Sequence, residues 1–199
     1  MTNLTHKLIQ QTQNLIIAVL LATSGSSIAA SLAPVVDDFS DANDNKLGIA
    51  RQFMNDSMAG GKTTTQLEIV DGVLHLQGQL VPPRGQPGWA SAVLLLDPQG
   101  LPQDASAFSG IRLIVKVTSG SLSVSANSTE VHNFDYHAAP VVIAADNKFH
   151  EVKIPFSSMR RAWSEQTELN TTTLSGLSIV AFSLQAAAFD YELDEVGFY

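Results

Sequence analysis

Thr65-Gln66-Leu67-Glu68-Ile69-Val70-Asp71-Gly72-Val73-Leu74-His75-Leu76-Gln77-Gly78-Gln79-Leu80 is the stretch whose pattern sets the fold class. Before the Asp-Gly pair, Thr65, Leu67 and Ile69 alternate with Gln66, Glu68 and Val70. After it, Leu74, Leu76 and Gly78 alternate with His75, Gln77 and Gln79. A two-residue period places one set of side chains on each face of a strand. Asp-Gly between two such runs predicts a hairpin, because a type I′ turn needs positive φ at both central residues.

The same grammar continues outward from this hairpin. Trp89 to Leu96 is apolar on both faces and reads as a buried strand closed by Asp97-Pro98. Ile111 to Val117 is rich in β-branched residues and stops at Ser119-Gly120. Leu122 to Ala126, Val131 to Ala138, Phe149 to Ile154, Leu177 to Leu184 and Tyr191 to Tyr199 complete the set of expected strands. Pro155 ends the strand before it, since proline cannot donate to a ladder. One short helix is expected at Ser157 to Trp163, capped by Ser157 or Ser158. Short strands at this spacing, with hardly any helix, predict an all-β, two-sheet sandwich or jelly roll. The Pro/Gly-rich stretch Val81 to Gly88 is a loop inside that domain.

Composition bounds the function. Of 199 residues 45% are hydrophobic and 15% charged, which suffices for one packed core. The net charge of −8 argues against nucleic acid as a partner, because phosphates call for a basic track and only Arg160-Arg161 are adjacent. With no cysteine there is no disulfide framework, thiolate metal site or thiol nucleophile.

Residues 1–36 contain one lysine, Lys7, no arginine and no acid. Leu15-Ile16-Ile17-Ala18-Val19-Leu20-Leu21-Ala22 is an unbroken apolar run, followed by small polar residues and Ile28-Ala29-Ala30. That order predicts a secretory signal peptide over 1–30 and an exported, periplasmic or extracellular protein. The run is far below the roughly 20 residues that span a bilayer, so no membrane span is expected in the mature chain.

Fragments of catalytic motifs fail on inspection. Gly61-Lys62-Thr63 matches the end of a phosphate loop, but position 56, where that loop needs glycine, is Asp56. His132 and His137 lie five apart and would face opposite sides of a strand, so they read as edge positions with Phe134 and Tyr136 packed inward. A paired-carboxylate hydrolase would need two acids about 5–10 Å apart in a cleft; Asp56 with another acid is the one such pairing the sequence leaves open. No catalytic residue is assigned. Asp37, Asp38 and Asp194 are the one site-like group. If the terminal strands pair, their oxygens can converge on a structural calcium; the plainer reading is solvated acids at strand ends, with Lys46 as a partner. No other cofactor is expected.

Six segments carry a family resemblance. They are Asp37-Asp38-Phe39, then Asn45 to Gly48, Asn55 to Thr63, Asp104 to Ile111, Ile154 to Ser157, and Phe189 to Tyr199. In this order they resemble the complex I intermediate-associated protein 30 (CIA30) domain family over residues 35–199. The resemblance implies a galactose-binding-domain-like jelly roll and a chaperone-like or assembly-factor-like protein-interaction domain that is not an enzyme. It marks Asn55, Asp56, Gly60, Gly61, Phe108, Gly110, Pro155, Phe156 and Asp194 as structural positions. Where the family often has a tryptophan before the Asn-Asp segment, this chain has only Phe53, and its leader resembles an export signal. The alternative is a carbohydrate-binding module of the cell envelope. Its ligand-binding candidates are Trp89 with Arg84 beside it, and Trp163 with Arg160 beside it. The partner is therefore a protein or a glycan.

Overall fold

Alternation of apolar and polar residues can be satisfied only by burying one face of each sheet against another. The computed structural model, which describes residues 32–144 and 146–199, shows that solution. Its strands are β1 (Val35–Asp37), β2 (Gln52–Asn55), β3 (Thr64–Val70), β4 (Val73–Leu80), β5 (Gly88–Leu95), β6 (Gly110–Ser119), β7 (Ser121–Ser128), β8 (His137–Pro140), β9 (His150–Pro155), β10 (Leu174–Ser183) and β11 (Ala187–Phe198). The first sheet runs β3-β4-β11-β6-β9, with β1 also on β11; the second runs β2-β5-β10-β7-β8. Every pairing is antiparallel. The β3–β4 hairpin turns through Asp71 (φ 51°) and Gly72 (φ 77°), the two positive angles the Asp-Gly pair predicts. The predicted leader, with its apolar run, lies outside the described residues. No described helix is long and apolar enough to cross a membrane.

The core has a small side and a large side. The second sheet contributes Ala90, Ala92 and Leu94 from β5, Leu177, Ile179 and Ala181 from β10, and Leu122, Val124 and Ala126 from β7. Facing them, the first sheet sends in Phe189, Tyr191 and Leu193 from β11 and Leu74, Leu76 and Leu80 from β4. Small residues opposite aromatics fill the interlayer volume at interior density. One end is closed by rings: Phe108 stacks on Phe198 at 5.0 Å between centroids, and Phe156 lies 6.3 Å from Phe198. A Cβ at Gly110 would overlap the Ile154 carbonyl and the Tyr199 ring, so that strand start admits only glycine.

Two local expectations are corrected. Val131 to Ala138 is not one strand; residues 131–136 form a loop and only His137–Pro140 pairs. His137 is buried, its Nε2 bonding the Thr167 carbonyl oxygen at 2.8 Å, and Phe134 points outward instead of inward. The predicted helix over Ser157 to Trp163 is a single 3-10 turn, Phe156–Ser158. Ser158 Oγ donates to the Pro155 carbonyl instead of capping a helix, and Arg160 is drawn into a β-bridge with Ala138. Strand pairing at an open edge competes here with a weak helical propensity and wins.

β1 is tied to the approach to β2 by a buried ion pair. Arg51 donates from Nε to Asp37 Oδ2 at 2.6 Å and from Nη2 to Asp37 Oδ1 at 2.8 Å, with both side chains 1% exposed. The Phe39 N–H also donates to Asp37, and the guanidinium sits 5.1 Å above the Phe39 ring. Removing one partner strands the other charge, so Arg51→Ala is expected to cost about 3–5 kcal/mol. Chemical unfolding monitored by circular dichroism measures this; a loss under about 1 kcal/mol would show that the pair is dispensable.

Candidate ligand-binding face

The two outer faces of the sandwich differ in kind. On the first sheet the outward side chains form ion pairs across strands. Lys116 meets Glu192, Arg112 lies between Glu151 and Glu195, and His75 lies between Glu68 and Asp190. Burial pulls the His75 pKa down, but the Asp190 and Glu68 carboxylates outweigh it and raise it above the ordinary histidine value. This is a solvated, ion-paired surface on which acids outnumber bases.

The second sheet has no charged residue on its outer face. Because Ala90, Ala92 and Leu94 point inward, Trp89, Ser91, Val93 and Leu95 point outward from β5. By the same alternation β10 presents Gly176, Ser178, Val180 and Phe182, and β7 presents Ser121, Ser123, Ser125 and Asn127. Gln52 and Met54 of β2 and Ala138 and Pro140 of β8 form the flanks. Ser91, Val93, Ser125, Asn127 and Ser178 are only 6–8% exposed although they face away from the core. Small residues recessed between larger neighbours make the floor of a shallow trough. Along it Asn127 Nδ2 donates to Ser178 Oγ at 2.8 Å, while Asn127 Oδ1 finds no partner in the protein. Trp89 and Phe182 are directly paired at one end, and beside Phe182 a depression of about 270 Å³ opens against Ser121, Leu122, Val141 and Ile143.

Trp89 is positioned by the segment that resembles a phosphate loop. Asn55 caps a 3-10 turn, Asp56–Ala59, by accepting from the Ser57 N–H, and Gly60 (φ 87°) reverses the chain after it. The Asp56 side chain, fully buried, accepts from Thr63 N at 3.1 Å, Thr63 Oγ1 at 2.7 Å and Trp89 N at 3.2 Å. Asp56 therefore joins the start of β3 in one sheet to the start of β5 in the other. A Cβ at Gly61 would overlap this carboxylate, which is why glycine stands there. Arg84 is exposed in the loop before β5.

Trp163 belongs to a different place. It follows Arg160, which bridges Ala138 beyond the β8 edge, four interstrand steps or about 19 Å from β5. Trp89 and Trp163 do not share one platform. Arg160 Nη1 is folded onto the Ser157 and Met159 carbonyls, so it serves the turn. Asp135, 1% exposed, accepts from the N–H groups of Ala162 (2.7 Å), Trp163 (3.1 Å) and Ser164 (2.6 Å). Sequence reading missed this hub, because a carboxylate accepting from a distant loop has no local signature.

The acids expected to group at the chain ends are engaged separately. β1 and β11 do pair, but Asp37 is spent on Arg51. Lys46 beside Asp38, helped by Ser40, lowers its carboxyl to about 2, and Asp194 is exposed. Among the described residues no three histidine, cysteine or acidic side chains are placed to hold a metal ion.

This geometry defines a jelly-roll β-sandwich of the galactose-binding-like type with an uncharged outer trough. Solved structures share the fold. A family 11 carbohydrate-binding module of a cellulosomal cellulase of Clostridium thermocellum superposes with TM-score 0.59 at 15% identity, covering 85% of this chain and 95% of that one. The module from the same organism in complex with a β-1,3-1,4-mixed-linked tetrasaccharide gives 0.56 at 16%, covering 83% and 94%. An agarase matches with TM-score 0.53 at 9% identity over 82% of this chain, which spans 24% of the agarase. No curated protein matches the chain by sequence. The sequence model of the complex I intermediate-associated protein 30 family matches residues 38–194, and the chain belongs to that family.

Two outcomes follow from the buried carboxylates. Gly61→Ala is expected to destabilise by about 1–3 kcal/mol, and by less in an Asp56→Ala background where the overlap is gone; equal costs in both backgrounds would disprove the contact. For Asp135, burial raises the pKa, but the bonds from Ser164, Ala162 and Trp163 prevail and hold it below the carboxylate range. Its contribution is therefore complete above the unfolded pKa of about 3.9 and lost as pH falls through the lower folded value. In Trp89→Phe protein, where Trp163 is the sole tryptophan, emission should stay constant down to about pH 4 and change below it. A transition centred above that pH would contradict the assignment.

Proposed function

We propose that this protein is a non-catalytic binding module, exported as its leader suggests, that takes a neutral, extended glycan across the trough of the second sheet. The observation that carries this is the absence of charge from that outer face in a chain of net charge −8. A neutral sugar pays for the desolvation of any charged side chain it covers, whereas hydroxyls and amides exchange water for sugar hydroxyls at little cost. Ser91, Ser178, Ser125 and Asn127 supply such groups. Trp89 and Phe182 supply apolar faces for the C–H side of a ring. The shared fold of modules that include one bound to a mixed-linked tetrasaccharide supports the reading. Family membership supports a second reading, an assembly-type protein partner on the same face, to which Met54, Val93, Val180 and Phe182 would offer apolar contact.

Calorimetry against soluble mixed-linked β-glucan, cello-oligosaccharides and agaro-oligosaccharides separates the two. Binding to at least one is expected, weakened about tenfold or more by Trp89→Ala, as losing an aromatic platform worth about 1.5 kcal/mol requires. No binding of any neutral glycan at millimolar concentration would reject the glycan reading in favour of the protein partner.

A further inference from the structure

Two of the most exposed large apolar side chains are carried by two neighbouring, cross-linked loops beyond the β8 edge. Phe134 is 80% exposed and Trp163 is 70% exposed. They sit on loops that are cross-linked on both sides of each ring. Asn133 Nδ2 donates to Ser164 Oγ at 2.9 Å, and Arg161 Nη2 donates to Asn133 Oδ1 at 3.1 Å. Arg161 Nε donates to the Asp135 carbonyl, and Gln166 Nε2 closes the second loop on the Arg161 carbonyl. The buried Asp135 carboxylate, with its three N–H donors, clamps the centre.

Phe134 has a positive φ of 61°, a left-handed conformation that an aromatic residue adopts only at a cost. Its ring meets Tyr136 edge-on at 6.4 Å, and Tyr136 is half-buried. A fold minimising its own energy would place glycine or asparagine at such a position and keep the phenyl ring out of water. Strain, exposure and rigid anchoring together describe a surface held ready for contact. Rigid aromatics also lose little conformational entropy when they bind.

The edge is continuous with the trough. One cross-strand row runs Gln52, Val93, Ser178, Ser125, Ala138 and ends at Arg160, three residues before Trp163. Five interstrand steps make that row about 24 Å long. Every residue in it before Arg160 is uncharged, and the Arg160 guanidinium is occupied by backbone carbonyls. Trp89 and Phe182 stand four residues along β5 and β10 from this row, about 14 Å. We infer that Phe134 and Trp163 form a second aromatic platform, which takes the far end of a long neutral glycan running obliquely over the strands from the Trp89 end. This rests on the glycan reading of the trough and extends it: the module selects for chain length, with one aromatic subsite at Trp89 and Phe182 and another beyond β8.

The chain's two tryptophans fall one in each subsite, so each can be observed alone. Trp163→Phe protein reports Trp89, and Trp89→Phe protein reports Trp163; both are titrated with mixed-linked gluco-oligosaccharides of increasing length, followed by emission. Trp89 should respond to short and long chains, and Trp163 to long chains only. In the unmodified protein affinity should rise about tenfold with length, and Trp163→Ala or Phe134→Gly should abolish that rise while leaving short-chain affinity unchanged. Phe134→Gly should also raise the unfolding midpoint by a few degrees, because it removes the strain; this keeps a loss of binding distinct from a loss of folding. A rise with length that survives both substitutions overturns the second platform, as does a long chain that shifts Trp89 emission but not Trp163 emission. Silence at both tryptophans overturns this inference and the glycan reading together.

Discussion

A single buried carboxylate, Asp56, holds the start of β3 in one sheet and the start of β5 in the other. It does so by accepting from Thr63 and from the Trp89 N–H. Two antiparallel sheets of a sandwich meet mainly through side-chain packing, which tolerates small slides of one layer over the other. Charge-assisted bonds to both layers remove that freedom at the end of the domain where Trp89 emerges. The surrounding residues follow from this requirement. Asn55 starts the turn that aims the carboxylate inward, Gly60 reverses the chain, and Gly61 leaves the space the carboxylate occupies.

Two other carboxylates repeat the device. Asp37 ties β1 to the approach of β2 through Arg51, and Asp135 ties the loop before β8 to the segment bearing Trp163. In each case an acid is removed from solvent and fully bonded, the condition under which burying charge is tolerable. The net charge of the chain therefore gives a misleading picture of its surface. Ion pairs are gathered on the outer face of the first sheet, while the second sheet carries none, and this segregation makes one face chemically distinct from the other.

Much of the architecture was legible in the chain because strand alternation and turn chemistry are local. The Asp71-Gly72 hairpin, the closed core strands around Leu94, Ile179 and Leu113, and the family segments from Asp37 to Tyr199 could be read without knowing any partner. Reading failed where a local preference met a distant one. Val131 to Ala138 has the composition of a strand, but Asp135 is captured by N–H groups from residues 162–164 and the backbone at Phe134 turns left-handed to allow it. Ser157 to Trp163 has the composition of a short helix, but its backbone is taken by the free edge at Ala138.

The candidate site lay further from the sequence than the fold did. Trp89 and Trp163 were identifiable as residue types suited to a sugar, and Asn55, Asp56, Gly60 and Gly61 as a shared segment. Nothing in their spacing says that the first stands on β5 and the second on a loop beyond the opposite edge of the same sheet, or that Asp56 supports the first of them. The sequence alone determined a β-sandwich of the CIA30 family, because periodicity and turn residues act over a few positions. Only the tertiary structure decided that Ser91, Ser125, Asn127 and Ser178 share a charge-free trough, since strand order brings together residues nearly ninety positions apart.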